Sequence, residues 1–418
     1  MISYDKSRKI LQKSKILIGD QSIKTSNCIN RVASENILCK ANNPAGNNAA
    51  FDGFAISSKD TNKLNKKKNK LFKIIGIVAA GDKPKKLRKQ KFQTIEIMTG
   101  ALLPKNFDTI IPIEQIVFYP NKKNPSHILV SKKVKKNQHI RFKGSDFKKN
   151  DLLIKKGTIL QSYHVLALKT LGITSIKVKK VPKILFFSTG NEITNQKVIP
   201  DWKVRNSNSF YIRSLRENFL FEFKDGGILR DKDKFKFEKK IKKMFNLNFD
   251  IIITSGAVSA GKFDFVPNVV KKFKLSRYFK GVAIRPGKPV LFAKIRGRQK
   301  AIFGLPGNPI SSAACFRFFV YPYIEHLLGI NKEKPIKATL KNEFIKKVNF
   351  TRFVKSKFNT TKNSKIEVKI LEGQESFKIK SFIESNIWVV LPSGKSKFKK
   401  GDIVDCFLQD RPNKNLLT

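Results

Sequence analysis

A few glycine-bearing loops in this 418-residue chain carry residue types that could bind anions and hold a metal. Ser255-Gly256-Ala257-Val258-Ser259-Ala260-Gly261 sets small residues where an apolar run turns toward a helical pattern. Peptide N–H groups there can approach a phosphate without Cβ obstruction, although the G-x-x-x-x-G-K-[ST] spacing of a P-loop is absent. Asp264 follows Gly261 closely. A carboxylate beside a phosphate repels it unless a cation intervenes, which favours a bridging Mg²⁺. Glu192 stands in a similar relation to Ser188-Thr189-Gly190, and Asp231 follows Gly226-Gly227-Ile228-Leu229-Arg230. Singly, each acid fits a helix cap or a solvated side chain. Three of them after glycine turns, in a chain with 31 acidic residues against 86 basic ones, point to metal and proton chemistry. Arg285-Pro286-Gly287-Lys288-Pro289 places two cations around a stiff turn suited to an oxyanion, with chance a competitor in so basic a chain. In Gly304-Leu305-Pro306-Gly307-Asn308-Pro309, exposed amides of the stiff loop could meet a ring or phosphate, or the loop could only shape the next helix.

The elements that position these loops are legible around them. Ile184-Leu185-Phe186-Phe187, Ile251-Ile252-Ile253 and Ala301-Ile302-Phe303 each run into one loop, and each is followed by a helical pattern. Continuous apolar strands alternating with helices predict an α/β region with a doubly wound parallel sheet covered on both faces. Ligands bind such sheets beyond the carboxyl ends of the strands, where all three loops would lie. Upstream, Leu71 to Val78 and Thr109 to Ile113 are β-rich runs between Gly, Pro and Lys-Asn turns, predicting a small β domain from Pro44 to about His139. Its loops Asn47 to Ala55 and Ile97 to Ala101 offer Asp52 and Thr99 as polar side chains. Beyond Asn331 short strands return, predicting a C-terminal β domain.

Composition narrows the chemistry. Cys28, Cys39, Cys315 and Cys406 have no C-x-x-C spacing, and His127, His139, His164 and His326 are not paired at ligand spacing. A thiolate zinc site, a disulfide framework and a Ser-His-Asp triad are therefore disfavoured, and a metal would need oxygen ligands. The start of the chain lacks the layout of a signal peptide, and no stretch reaches about 18 apolar residues, so no membrane partner and a cytoplasmic location are the expectation. The net charge of +55 would attract nucleic acid without specificity. Its lysines are spread from end to end, however, and Lys, Asn, Ile and Phe are jointly abundant, as an A/T-rich genome produces.

Seven segments in register, Pro44 to Ala55, Ile97 to Ala101, Arg141 to Asp146, Phe187 to Glu192, Ser255 to Asp264, Ile284 to Pro289 and Gly304 to Pro309, resemble the MoeA family, which includes the corresponding domain of gephyrin. The resemblance spans nearly the whole chain. It implies a dimerisation region from 1–43 and 140–178, an inserted β domain at 44–139, a central α/β molybdopterin-binding domain at 179–330 and a C-terminal β domain at 331–418. It implies insertion of molybdate into adenylated molybdopterin with release of AMP, dependent on Mg²⁺ or a similar cation. A homodimer and a molybdopterin-adenylylating partner enzyme are implied as well.

By the same resemblance Glu192, Asp231 and Asp264 match the family's site acids, expected to hold metal and orient the attacking oxygen. Asp52 and Thr99 would act across the dimer. Arg285 and Lys288 match an anion-binding turn, Lys280 a looser position, Arg141 and Asp146 a charged pair, and Ser376 or Ser381 a pterin contact. Departures from the family pattern are Asn191 and Ser145 at positions usually acidic, Arg285 for lysine, and Ala257 for the second glycine of the phosphate loop. Ala257 restricts φ if that position needs positive values. Alternatives are a molybdopterin adenylyltransferase-like enzyme, which would not need the two upstream motifs, a basic nucleic-acid-binding protein, and a scaffold that has kept the fold without catalysis.

Overall fold

The structure is a computed structural model that describes residues 1–65, 67–83, 88–216, 220–244, 248–258, 265–360 and 366–409. Its central sheet contains β1 (Lys183–Thr189), β2 (Glu222–Leu229), β3 (Ile251–Ser255), β4 (Leu275–Lys280), β5 (Leu291–Ile295) and β6 (Ala301–Leu305). The spatial order is β2-β1-β3-β6-β5-β4. Strands β2, β1, β3 and β6 run parallel, whereas β5 is antiparallel to both its neighbours. The expected purely parallel sheet is thus a mixed one. The reason is local: only five residues separate Ile295 from Ala301, too few for the crossover a parallel connection needs, so β5 and β6 close as a hairpin.

Helices α1 (Ser207–Ser214), α2 (Lys234–Met244), α3 (Val266–Lys271) and α4 (Pro309–Cys315) cover both faces of the sheet. Ile184, Phe186, Ile251, Ile253 and Phe303 enter one core with Ile212 of α1 and Ile310 of α4. Leu185, Phe187, Ile252 and Ile302 enter another with Phe237 of α2 and Val269 of α3. Successive strand residues point to opposite faces, so burial on both faces demands an unbroken apolar run. Edge strand β2 is half-exposed, which leaves its sequence polar and hid it from the pattern.

The flanking modules are β-rich. A second six-stranded sheet uses strands between Gly53 and Val130. Asp20–Lys24 pairs with Ser175–Lys179 and Ile37–Leu38 with Leu152–Ile154, and these distant segments share one core. The N-terminal helix Tyr4–Gln12 joins the central core instead: Leu11 is part of it, and the Tyr323 hydroxyl donates to the Ser14 carbonyl at 2.7 Å. Past residue 335, Thr351–Thr360, Ile366–Ile370, Ile336–Leu340, Ile403–Leu408 and Ile387–Leu391 pair in that order, and the last pairs back with the first. That closed ring is barrel-like. Ile284–Arg285 adds a short parallel rung to Thr351–Arg352, fixing the barrel to the central region. No helix of the described residues is long and apolar enough to cross a membrane.

Two local features give tests. Arg317, 3% exposed, donates from Nη2 to both carboxylate oxygens of Glu333 at 2.7 and 2.8 Å and from Nε to the Leu408 carbonyl, joining a π-helical turn to the barrel. Replacing Arg317 with Leu leaves a largely buried carboxylate alone and is expected to cost about 3–5 kcal/mol, with Arg317→Leu/Glu333→Leu recovering part of the loss in denaturant unfolding. After β3, Gly256 has φ +99° and Ala257 φ +51°. A left-handed alanine costs roughly 1–2 kcal/mol, more than glycine's entropic penalty of about 0.5–1 kcal/mol. Ala257→Gly is therefore expected to keep or raise the melting temperature in calorimetry, and a fall of several degrees would count against strain at this residue.

Candidate active site

The carboxyl ends of β1, β3 and β6 border a cavity of about 560 Å³ that also receives the start of α1 and Pro289. Its floor is held by hydrogen bonds between loops. The Asn208 amide donates to the Ser255 hydroxyl and to the Gly307 carbonyl, both at 2.7 Å, and Ser255 donates onward to the Pro306 carbonyl at 3.2 Å. The Thr189 hydroxyl donates to the Ser255 carbonyl at 2.9 Å, and the Gly256 N–H to the Leu305 carbonyl at 2.9 Å. Gly256 is needed there for space: a Cβ would lie 2.5 Å from the Thr189 carbonyl oxygen. The result is a narrow seam of small residues and peptide groups, suited to a phosphate or a flat polar ring.

The acids are placed unequally. Glu192 is exposed at the cavity, and its carboxylate folds back over Gly190, where a Cβ would meet Oε1 at 2.4 Å. Asp231 begins the turn after β2, beside the Glu192 loop, because Thr189 of β1 is in register with Leu229 and the Gly190 N–H donates to the Leu229 carbonyl at 3.0 Å. The Asp231 side chain lies outside the described residues, as do Ser259, Gly261 and Asp264. Adjacent strand ends therefore bring Glu192 and the Asp231 backbone together.

Of the remaining expected residues near the sheet, Pro306, Gly307 and Asn308 line the cavity with Ser255 and Gly256. Ser376 reaches this rim from the C-terminal region: its hydroxyl accepts from the Asn308 amide at 3.1 Å and its carbonyl from the Ile310 N–H at 3.2 Å. Ser381 turns inward instead, donating to the Gly373 carbonyl at 2.7 Å. Arg285 and Lys288 are exposed on their turn. Arg285 borders a second cavity, of about 420 Å³, with Lys346, Lys347, Phe350 and Arg352. Lys280 ends β4 and lines neither cavity.

The upstream motifs form a second cluster. Asp52 accepts from the Thr99 N–H at 2.6 Å and its hydroxyl at 2.7 Å, which holds its carboxyl below the usual range. Arg141 pairs in register with Asn48, whose amide donates to the Gly100 carbonyl at 2.6 Å. Arg141 and Asp146 make no ion pair; Asp146 accepts from the Asn43 amide at 2.8 Å. These four residues line none of the cavities described above.

Four residues escaped the sequence reading. Asn206 accepts from the Ser188 hydroxyl at 2.6 Å while its own amide nitrogen, buried at the cavity, has no partner among the described residues. Asn208 ties the floor, and Arg230 grips the Glu192 loop. Arg352 is half-buried, its Nε buried and without a partner among the described residues, and its pKa is lowered by desolvation and then by Arg285. The asparagines carried a faint signal, small polar residues opening a helix; the arginines were masked by the abundance of basic residues.

Residues 2–172 match the MoeA N-terminal region (domain I and II), residues 186–326 a probable molybdopterin binding domain, and residues 337–408 the MoeA C-terminal region (domain IV). The chain is 33% identical over 386 residues to a molybdopterin molybdenumtransferase of Staphylococcus aureus, covering 91% of this chain and 89% of that protein. A Staphylococcus epidermidis protein of the same name is 30% identical, with 98% and 96% covered. A crystal structure of a molybdopterin biosynthesis MoeA protein from Pyrococcus horikoshii superposes with a TM-score of 0.82 at 28% identity, covering 98% of this chain and 99% of that one. With matches over its N-terminal, central and C-terminal regions and full-length relatives at this identity, the chain belongs to the MoeA family.

Proposed function

We propose that this chain inserts molybdate into adenylated molybdopterin with release of AMP, an Mg²⁺-dependent step of molybdenum cofactor biosynthesis carried out in the cytoplasm. The observation that carries this reading is the cavity at three parallel strand ends, floored by Ser255, Gly256 and Gly307 and edged by the exposed carboxylate of Glu192. The naming of full-length relatives as molybdopterin molybdenumtransferases supports it.

The donor set suits a hard cation. No His or Cys lines the cavity, and among the described residues no three His, Cys, Asp or Glu stand close enough to hold an ion by themselves. Magnesium accepts few protein carboxylates and completes its shell with water and phosphate oxygens, so Glu192, Asp231 and Asp264 would hold it together with the substrate. When bound, the cation would polarise the phosphoryl oxygens and screen their charge.

The protein's own groups do the rest. Peptide N–H groups at Gly307 and Asn308 would receive a phosphate of the substrate, with Ser255, Gly256, Ser259 and Gly261 shaping the loop. Glu192 would orient the attacking oxygen. Arg285 and Lys288, with Lys280 behind them, would neutralise molybdate and the departing AMP phosphate. Pro306 and Ser376 would bracket the pterin. Asp52, Thr99, Arg141 and Asp146 form a separate cluster, so they would complete the site from a second copy in a homodimer. An enzyme that adenylylates molybdopterin must supply the substrate.

The decisive assay supplies purified protein with adenylated molybdopterin, molybdate and Mg²⁺ and follows AMP release. Native turnover is expected, stopped by chelation, with a loss on the order of 100-fold or more in Glu192→Gln and Asp264→Asn. Normal rates in both variants would remove their assigned roles. Mixing subunits of Asp52→Asn with subunits of Glu192→Gln after dissociation should restore up to about a quarter of native activity, since half the dimers would carry one intact composite site. No recovery would place all working residues in one chain.

A further inference from the structure

The carbonyls of the loop that carries Glu192 are all engaged, three of them by a single side-chain nitrogen. Nη1 of Arg230 lies 3.0, 2.9 and 2.7 Å from the carbonyls of Gly190, Asn191 and Ile193, and its two hydrogens serve all three, one of them shared. The fourth, that of Glu192 itself, accepts from the Val204 N–H at 2.9 Å. Lys203 adds a second donor to the Asn191 carbonyl at 2.7 Å. Arg230 is itself fixed, because its N–H donates to Asp233 at 2.8 Å, and it directly precedes Asp231 in the turn after β2. One guanidinium thus spans from the end of β2 to the loop after neighbouring β1.

We infer that Arg230 is a positioning residue for the transfer reaction, acting through Glu192 by locking the peptide planes of its loop and setting that loop against Asp231. The inference rests on the function proposed above. The physical need is clear: Gly190 has φ +137° and no side chain, so nothing within it restrains the turn that aims Glu192. A guanidinium suits the task because its planar donors and permanent charge hold several carbonyls at once, which a neutral amide of similar reach cannot.

The test is a double-mutant cycle on AMP release with full-length protein. Arg230→Met should lower kcat at least about tenfold with KM for the adenylated pterin changed less than about threefold, while the melting temperature stays within a few degrees. Arg230→Lys should recover part of kcat. In a Glu192→Gln background, Arg230→Met should add less than about twofold, because a group that acts through Glu192 has nothing left to position. Full additivity of the two losses, or native kcat in Arg230→Met, overturns the inference and leaves the proposed function standing. Normal turnover by Glu192→Gln, or none by the native chain, overturns the proposed role of Glu192 and this inference with it.

Discussion

The hydroxyl of Ser255, caught between the Asn208 amide and the Pro306 carbonyl, is the contact on which the central architecture closes. Strands β1, β3 and β6 leave the sheet side by side, and right-handed twist would fan their ends apart. Ser255 stands on the middle strand, and its neighbours tie it to both sides: its carbonyl to Thr189, its hydroxyl to the loop after β6 and to α1. The bonds from Thr189 to the Ser255 carbonyl and from the Ser255 hydroxyl to the Pro306 carbonyl are buried, so losing either leaves polar atoms shielded from water with a partner fewer. Small residues are required throughout this seam, and the same smallness opens the cavity above it.

Legibility in the sequence followed burial. Ile251-Ile252-Ile253 was readable because both sheet faces consume its side chains. Edge strand Glu222–Leu229 was not, since only part of it leaves water. The hairpin between Leu291–Ile295 and Ala301–Leu305 was missed because a pattern of apolar runs carries no strand direction. Site loops were visible through glycine, whose spacing records where backbones must approach. The residues that hold those loops were invisible, since Arg230 and Arg352 look like any other member of a basic chain until their neighbours are known. The division of the motifs into a central group and an upstream group around Asp52 is likewise a matter of tertiary pairing, which no local pattern encodes.

Scarcity of acid shapes this protein. Several of its few carboxylates accept from peptide N–H and hydroxyl groups: Asp108 from the Ser58 N–H and hydroxyl, Asp225 from the Gly227 N–H and the Ser209 hydroxyl, and Asp250 from the Lys183 N–H. Only the Asp225–Gly227 bond is local to a turn; the others tie segments distant in sequence. Most ion pairs that do form are exposed and contribute little, so the fold stands on its cores and turn bonds while the lysine surface remains solvated. An exposed carboxylate at a cavity mouth, as Glu192 is, is therefore an unusual use of a rare residue.

The two-residue rung between Ile284–Arg285 and Thr351–Arg352 makes the turn from Arg285 to Pro289 part of two structures at once. Its glycine is wedged against Cys315 of α4, where a Cβ would come within 2.4 Å of the sulfur, while its arginine is stitched to the barrel. A displacement of the barrel relative to the sheet would therefore carry Arg285 with it while Gly287 stays held at α4. The turn is in effect a hinge pin shared by two bodies, and the second cavity, lined by Arg285 on one side and by Lys346 and Arg352 on the other, takes its shape from how they meet.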